Sequence, residues 1–136
     1  MKCIFCRIVV GDEKAYIVYE SDHVLAFLDK YPVSKGHTLI IPIKHYETIF
    51  ETPDHTLYEL VKIAKKIAIA QVEILRADGV RILQNNGRAA KQEIPHIHFH
   101  VIPFYHGVEL RHPRRKIDKE EGEEVAKLLR IGLDHG

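Results

Sequence analysis

Ten histidines in 136 residues dominate the chemistry open to this chain. Three of them recur at every second position in the run Pro95-His96-Ile97-His98-Phe99-His100-Val101-Ile102-Pro103. Side chains alternate across a strand, so His96, His98 and His100 share one face at about 7 Å between alternate positions. Ile97, Phe99 and Val101 share the other face and are expected to meet the core. A polar strand face explains one histidine there better than three. Two chemistries suit the array. The rings could ligate a metal, or one could act as a nucleophile with its neighbours as donors. An ordinary imidazole pKa near 6.5 leaves the neutral, nucleophilic form populated at neutral pH.

Cys3-x-x-Cys6 is the second feature. Its spacing suits zinc, which in a structural site takes four nitrogen or sulfur ligands in a tetrahedron. Two would come from the cysteines and two from histidines, and His45, just past a predicted strand, has the fixed position of such a ligand. A redox pair or two small buried residues are the competing readings. The redox pair expects a βα context that Cys3 lacks. Asn85-Asn86-Gly87 and Gln92 precede the histidine run, where amides can donate to phosphate or ribose oxygens or simply form a polar turn. Asp29 could accept from two ribose hydroxyls or cap the turn that follows it. Arg111, Arg114, Arg115 and Lys116 surround His112 in a basic run that reads as a solvated loop or as a contact to a polyanionic leaving group.

The elements that must position these residues follow from patterning. Residues 15–20 and 23–29 are β-branched and aromatic-rich and flank Ser21-Asp22, which predicts a β-hairpin. Residues 37–43 form a third strand entered through Gly36, with Pro42 marking its exit. Residues 54–77 carry Leu57, Leu60, Val61, Ala64, Ile67, Ala68, Gln71, Val72 and Leu75 at three-to-four spacing, which predicts one broad apolar helix face. Thr52-Pro53 is expected to cap it and Gly79 to end it. A short strand over 80–83, a polar loop over 84–88, a long strand over 94–104 and a second helix over 118–133 complete the chain. Val125, Leu128, Leu129 and Gly132 are expected to face inward on that helix. Five strands and two helices without βαβ alternation predict an α+β fold, its sheet mostly antiparallel with helices on one face. No GxGxxG or GxxxxGK[ST] sequence is present.

Composition narrows the class. The chain has one domain's length, and 46% hydrophobic with 29% charged residues is the balance of a globular protein rather than a disordered one. Lys and Arg total 20 against 19 Asp and Glu, so no global field favours nucleic acid or a membrane surface. No apolar run reaches membrane-spanning length and no signal peptide is evident, so a cytoplasmic location is expected.

Taken together, His96-Ile97-His98-Phe99-His100-Val101-Ile102 resembles the signature of the histidine triad (HIT) family. The likeness extends through Cys3-Ile4-Phe5-Cys6-Arg7-Ile8, Phe27-Leu28-Asp29, Gly36-His37-Thr38-Leu39-Ile40-Ile41-Pro42 with Lys44-His45, and Asn85-Asn86-Gly87 with Gln92. It is nearest the nucleotide-binding phosphoramidase branch in its zinc-carrying form. A single HIT domain over 1–136 is expected, with residues 104–136 less well matched.

The resemblance implies a five-stranded antiparallel sheet, paired across a homodimer into a ten-stranded one. It implies structural zinc on Cys3, Cys6, His45 and His96, and His98 as nucleophile at the α-phosphate of adenosine or guanosine 5′-monophosphate derivatives. His100 would support the phosphate, with Asn85 and Gln92. Asp29 would bind ribose, and Ile4, Phe5, Ile8 and Phe27 would form the purine slot. The implied activity is nucleotide hydrolysis through a nucleotidyl-histidine. The alternatives are dinucleoside polyphosphate hydrolysis, nucleotidyl transfer, a zinc-stabilised binding module with little catalysis, or a catalytic metal on His96, His98 and His100 together. The chain departs from the pattern at Lys91, where relatives commonly carry Gly, at Lys30, usually apolar, and at Phe104, frequently Arg. His37 matches a family position with no role assigned.

Overall fold

The computed structural model describes residues 3–135. Its elements run α1 (Ile4–Val9), β1 (Ile17–Glu20), β2 (Val24–Leu28), β3 (Thr38–Pro42), α2 (Asp54–Glu73), β4 (Gly79–Gln84), β5 (Phe99–Phe104) and α3 (Lys119–His135). The five strands form one antiparallel sheet in the order β1-β2-β3-β5-β4. Both faces of the central strands are covered, so β2 and β3 are buried throughout. On one face Val24, Ala26, Leu28, Ile40 and Val101 pack against Leu60, Ile63, Ala64 and Ile67 of α2 and Val125, Ala126 and Leu129 of α3. This is the expected layer of helices. The opposite face carries Leu25, Phe27, Leu39 and Ile41, and there Phe5 of α1 closes a second, smaller core. Nothing in the sequence pattern marked that six-residue helix.

Local chemistry accounts for the connections. Ser21 Oγ accepts from the backbone N–H of His23 and Val24 at 3.2 and 3.1 Å, fixing the β1–β2 turn where the sequence placed it. Gly36 has φ +99, and a Cβ on it would stand 2.5 Å from Leu75 Cδ1. The close approach lets Gln71, fully buried on α2, donate through Nε2 to Gly36 O and Val101 O at 3.0 Å each. One amide therefore ties the helix to both the β3 entrance and β5. Gly132 lets α3 lie against α2, since its Cβ would come within 2.8 Å of Ala70 Cβ.

Several boundaries differ from the sequence expectation. The buried face of α2 contains Thr56, Ile63 and Ala70, whereas Val61 and Val72 point outward. Pro53 itself takes the capping position of α2, and Thr52 Oγ1 instead donates to Thr48 O at 2.7 Å. The helix ends at Glu73, the left-handed residue beyond it is Arg76 (φ 65), and Gly79 opens β4. β5 starts at Phe99 rather than Ile94. Pro95 has no N–H to give, His96 N turns back to Ile94 O, and Ile97 N donates to Tyr46 O at 2.8 Å. The segment carrying His96 thus runs beside the loop after β3 rather than beside β3 itself. Among the described residues no helix is long and apolar enough to cross a membrane.

Candidate functional site

Three elements bring the cysteines and two histidines together. Cys3 caps α1, its Sγ accepting from Cys6 N at 3.4 Å, so both sulfurs lie at one end of that helix. His45 follows β3, and His96 lies in the lead-in to β5. Cys6 Sγ stands 3.2 Å from His45 Nδ1 and 3.6 Å from His96 Nδ1, and Cys3 Sγ stands 3.5 Å from His96 Nδ1. Metal–sulfur and metal–nitrogen lengths near 2.3 and 2.0 Å give a tetrahedral S···N edge of about 3.5 Å. The cluster therefore has the dimensions of a tetrahedral ion site, with all four ligand atoms within 4.8 Å of one another. His96 Nε2 lies 2.9 Å from Pro42 O. A carbonyl only accepts, so the proton is on Nε2 and the Nδ1 lone pair faces the sulfurs. Burial draws the His96 pKa down to about 4, which keeps that lone pair available.

Next to this cluster lies a cavity of about 660 Å³, a volume suited to a mononucleotide-sized ligand. One wall is apolar: Ile4, Phe5 and Ile8 of α1 face Phe27 and Leu39. Its polar lining includes Asp29, His37, His98, His100, Asn85, Lys91, Glu93 and Arg114, with Lys14 and Lys30 beside them. Gln92 stays out of the wall. Its Oε1 accepts from Gly87 N, and its Nε2 donates to Glu47 O and Ile94 O. Asn86 is likewise consumed inside the loop, bonded to Ile49 N and Gln84. Asn85 is the amide left facing the cavity.

The three triad rings have different hydrogen-bond partners. His98 Nδ1 is 2.8 Å from His96 O, so Nδ1 carries the proton and Nε2 keeps its lone pair. Burial lowers the His98 pKa, favouring the neutral ring. His37, the residue without an assigned role, organises His100. Val33 N–H donates to His37 Nδ1 at 3.2 Å, which puts the His37 proton on Nε2, 3.0 Å from His100 Nδ1. His100 Nδ1 then accepts, and its own proton is on Nε2. Burial holds His37 at a pKa of about 3 and His100 at about 4, so both are neutral donors rather than cations. The ligating atoms of Asp29, His37 and His100 also lie within 4.8 Å of one another. The Val33 N–H forces a proton onto the atom that would bind a cation, and Arg114 occupies Asp29, so this group is a hydrogen-bonded string. Among the described residues His98 joins neither ligand group, which speaks against one metal shared by His96, His98 and His100.

Asp29 is buried and already engaged. Oδ1 accepts from Tyr31 N at 2.8 Å, the turn-capping contact, and Oδ2 accepts from Arg114 Nη2 at 3.2 Å. Burial raises its pKa, while the Tyr31 N–H and Arg114 pull it back. Arg114 Nε also donates to Tyr31 O at 2.6 Å. The basic run thus contributes one residue to the cavity, through the segment between β5 and α3, and Arg111 instead pairs with Glu121. Glu93 gave no sequence signal, and its place in the wall follows only from the path of the β5 lead-in.

Known proteins share the fold described above. The HIT domain family description matches residues 10–107. An uncharacterised HIT-like protein of Methanocaldococcus jannaschii is 52% identical over 108 residues, covering 77% of this chain and 81% of that protein. An adenosine 5′-monophosphoramidase of Schizosaccharomyces pombe is 37% identical over 137 residues, covering 96% of this chain and 100% of its own. A zinc-bound histidine triad family protein from Mycobacterium smegmatis superposes with a TM-score of 0.89 at 41% identity, covering 99% of this chain and 95% of that one.

Proposed function

The chain belongs to the HIT domain family, and on that premise we propose that it hydrolyses purine nucleoside 5′-monophosphate derivatives at the α-phosphorus. The bond cleaved is P–N or P–O, and His98 is the nucleophile. The observation that carries the reading is the 2.8 Å contact from His98 Nδ1 to His96 O. A backbone acceptor at Nδ1 leaves Nε2 unprotonated inside the cavity, as in-line attack on phosphorus requires.

The purine lies between Ile4, Phe5, Ile8 and Phe27, and the ribose hydroxyls donate to Asp29. Asn85 and the Nε2–H of His100 donate to the phosphate oxygens, while Gln92 holds the loop that presents them. In the first step the Nε2–phosphorus bond forms as the bond to the leaving group breaks, its electron pair departing on that group. In the second step a water oxygen attacks phosphorus and the pair returns to Nε2. An amine leaving group takes up a proton from solvent as it departs in the first step, and in the second step water gives its hydroxyl to phosphorus and returns a proton to solvent. Splitting one displacement into two is the gain from covalent catalysis.

Cys3, Cys6, His45 and His96 hold structural zinc, which supplies a fixed point joining α1 to the sheet. With four protein ligands no position is left for substrate. The sulfur–nitrogen distances support this, as does the zinc-bound relative.

A homodimer accords with the open face of the fold. β4 is an edge strand with Ile82 exposed, and Tyr58, Val61, Ile69 and Val72 form an outward apolar stripe along α2. Pairing β4 with its symmetry mate would give a ten-stranded sheet and cover that stripe. A cytoplasmic location suits cysteines that ligate a metal, since they stay reduced there.

The test is turnover of adenosine 5′-phosphoramidate by wild type and by His98→Asn. Loss of turnover in the variant, with the fold intact, supports the proposal. Equal rates contradict it, and tight nucleotide binding without turnover in wild type would leave a zinc-stabilised binding module. Transfer to an added alcohol in preference to water would mark a nucleotidyltransferase.

A further inference from the structure

The segment joining β4 to β5 contains one backbone outlier at the cavity wall. Lys91 has φ 72 and ψ 24, the left-handed region, and closes the 3₁₀ turn Arg88–Ala90 through a 2.9 Å bond from its N–H to Arg88 O. A Cβ disfavours that conformation and glycine takes it freely. This chain nevertheless carries a long cationic residue there, and that residue is part of the cavity wall. Strain kept at a cavity wall points to a task for the side chain rather than for the turn.

The other charges on the lining are mostly committed. Lys30 Nζ is held by Glu13 at 3.1 Å and Arg114 by Asp29 at 3.2 Å. Lys14 neighbours the apolar wall, beside Ala15 and Tyr16. Among the described residues Lys91 enters no ion pair, and it shares its wall with Asn85 and Glu93. With the base against α1 and Phe27 and the ribose on Asp29, this polar wall is what remains for the group beyond the α-phosphorus.

We propose that Lys91 determines leaving-group specificity, its ammonium selecting anhydrides whose leaving group is an anion, a sulfate or phosphate, over amides that release a neutral amine. The proposal rests on the nucleotidyl-histidine reading above. With a phosphosulfate, the Nε2–phosphorus bond of His98 forms as the phosphorus–oxygen bond to sulfate breaks. The electron pair stays on sulfate, and Lys91 neutralises the charge that develops there. Water then hydrolyses the histidyl phosphate to the 5′-monophosphate. Glu93, on the same wall, opposes an anion, so the selection depends on the lysine rather than on the summed charge of the pocket.

The experiment compares kcat/KM for adenosine 5′-phosphosulfate with that for adenosine 5′-phosphoramidate, in wild type and in Lys91→Met, Lys91→Gly and Lys91→Arg. Methionine keeps the backbone demand and the length but removes the charge; glycine also relieves the backbone. The expected result is a phosphosulfate-to-phosphoramidate ratio that falls about tenfold in both uncharged variants and is restored by arginine. A ratio that stays at the wild-type value, or changes in Lys91→Gly but not in Lys91→Met, overturns the proposal while leaving hydrolysis through His98 standing. Wild type that turns over neither substrate overturns the hydrolase reading instead. Equilibrium binding of ADP against AMP then decides for Lys91. Selective weakening of ADP in Lys91→Met supports its role, and equal weakening of both contradicts it.

Discussion

The ring of Phe5 meets the imidazole of His98 edge to face, 5.1 Å between centroids and 81° between planes. The same ring stands 5.8 Å from His96 and 5.4 Å from Phe27. Phe5 sits between Cys3 and Cys6 in the chain, so the two cysteines that approach His96 also fix the residue that packs on His98. The two sites are mechanically one unit: a metal-ligand cluster at one end of α1 and an apolar wall along it.

With zinc on this cluster, as proposed above, removing the metal should damage nucleotide binding before it damages chemistry. Cys6→Ser, or stripping with a chelator, is expected to raise KM about tenfold as the α1 wall loosens, with a smaller change in kcat. Thermal unfolding should shift downward in parallel, because bound metal stabilises only the folded state. Metal content, melting temperature and the two kinetic constants on one preparation check this. A kcat collapse at unchanged KM would point to a catalytic ion.

His37 is expected to act through His100. Replacing it with alanine removes the donor that keeps the His100 proton on Nε2, and kcat should fall about tenfold, the size of one lost buried hydrogen bond. The structural signature is separate from the rate. Nitrogen chemical shifts of His100 should report the Nε2–H tautomer in wild type and a mixture in His37→Ala. An unchanged tautomer would remove His37 from the mechanism.

Gly36→Ala should be among the most damaging single substitutions outside the site. The residue has φ +99 and its added Cβ would fall 2.5 Å from Leu75 Cδ1. Backbone strain and overpacking together predict a loss of about 2–4 kcal/mol. Denaturant unfolding measures it, and a loss below about 1 kcal/mol would mean that Leu75 relaxes freely.

Arg114 is expected to set the acid limit of nucleotide binding through Asp29. Burial and Glu93 push the Asp29 pKa upward, and the Tyr31 N–H, Arg114 and His98 pull it down, with neutral His37 3.5 Å from Oδ2. Ribose hydroxyls need the carboxylate, so binding is present above the folded pKa and is lost as pH falls through it. Arg114→Met removes one lowering influence, and the acid limb of kcat/KM should move to higher pH. A limb that stays in place would show that Arg114 and Asp29 are not coupled.

The residues brought together at the cluster and the cavity were readable because period two and the Cys-x-x-Cys spacing are local. Period two anticipated that His96, His98 and His100 gather on one side, although β5 begins at Phe99 and only His100 lies within it. The partition among them did not follow from that geometry alone. It depends on Pro42 O, His96 O and His37, which are tertiary neighbours and, for His98, a backbone carbonyl two residues away. The six residues of α1 are too short to hold a helix by themselves and are helical because Phe5 is buried and the cysteines have partners. Helical spacing does not reveal which half of a wide apolar stripe meets the sheet, and Val61 and Val72 lie on the half that faces outward. Arg114 reached Asp29 across 85 positions, a distance no motif spans.

The most direct test of the central claim is to stop turnover of an adenosine 5′-phosphoramidate in alkaline quench during the first cycle and map the modified peptide by mass. One adenylyl group on His98, absent from His98→Asn, is the expected result. Turnover at the normal rate with no adduct on His98, or an adduct on another residue, would contradict it.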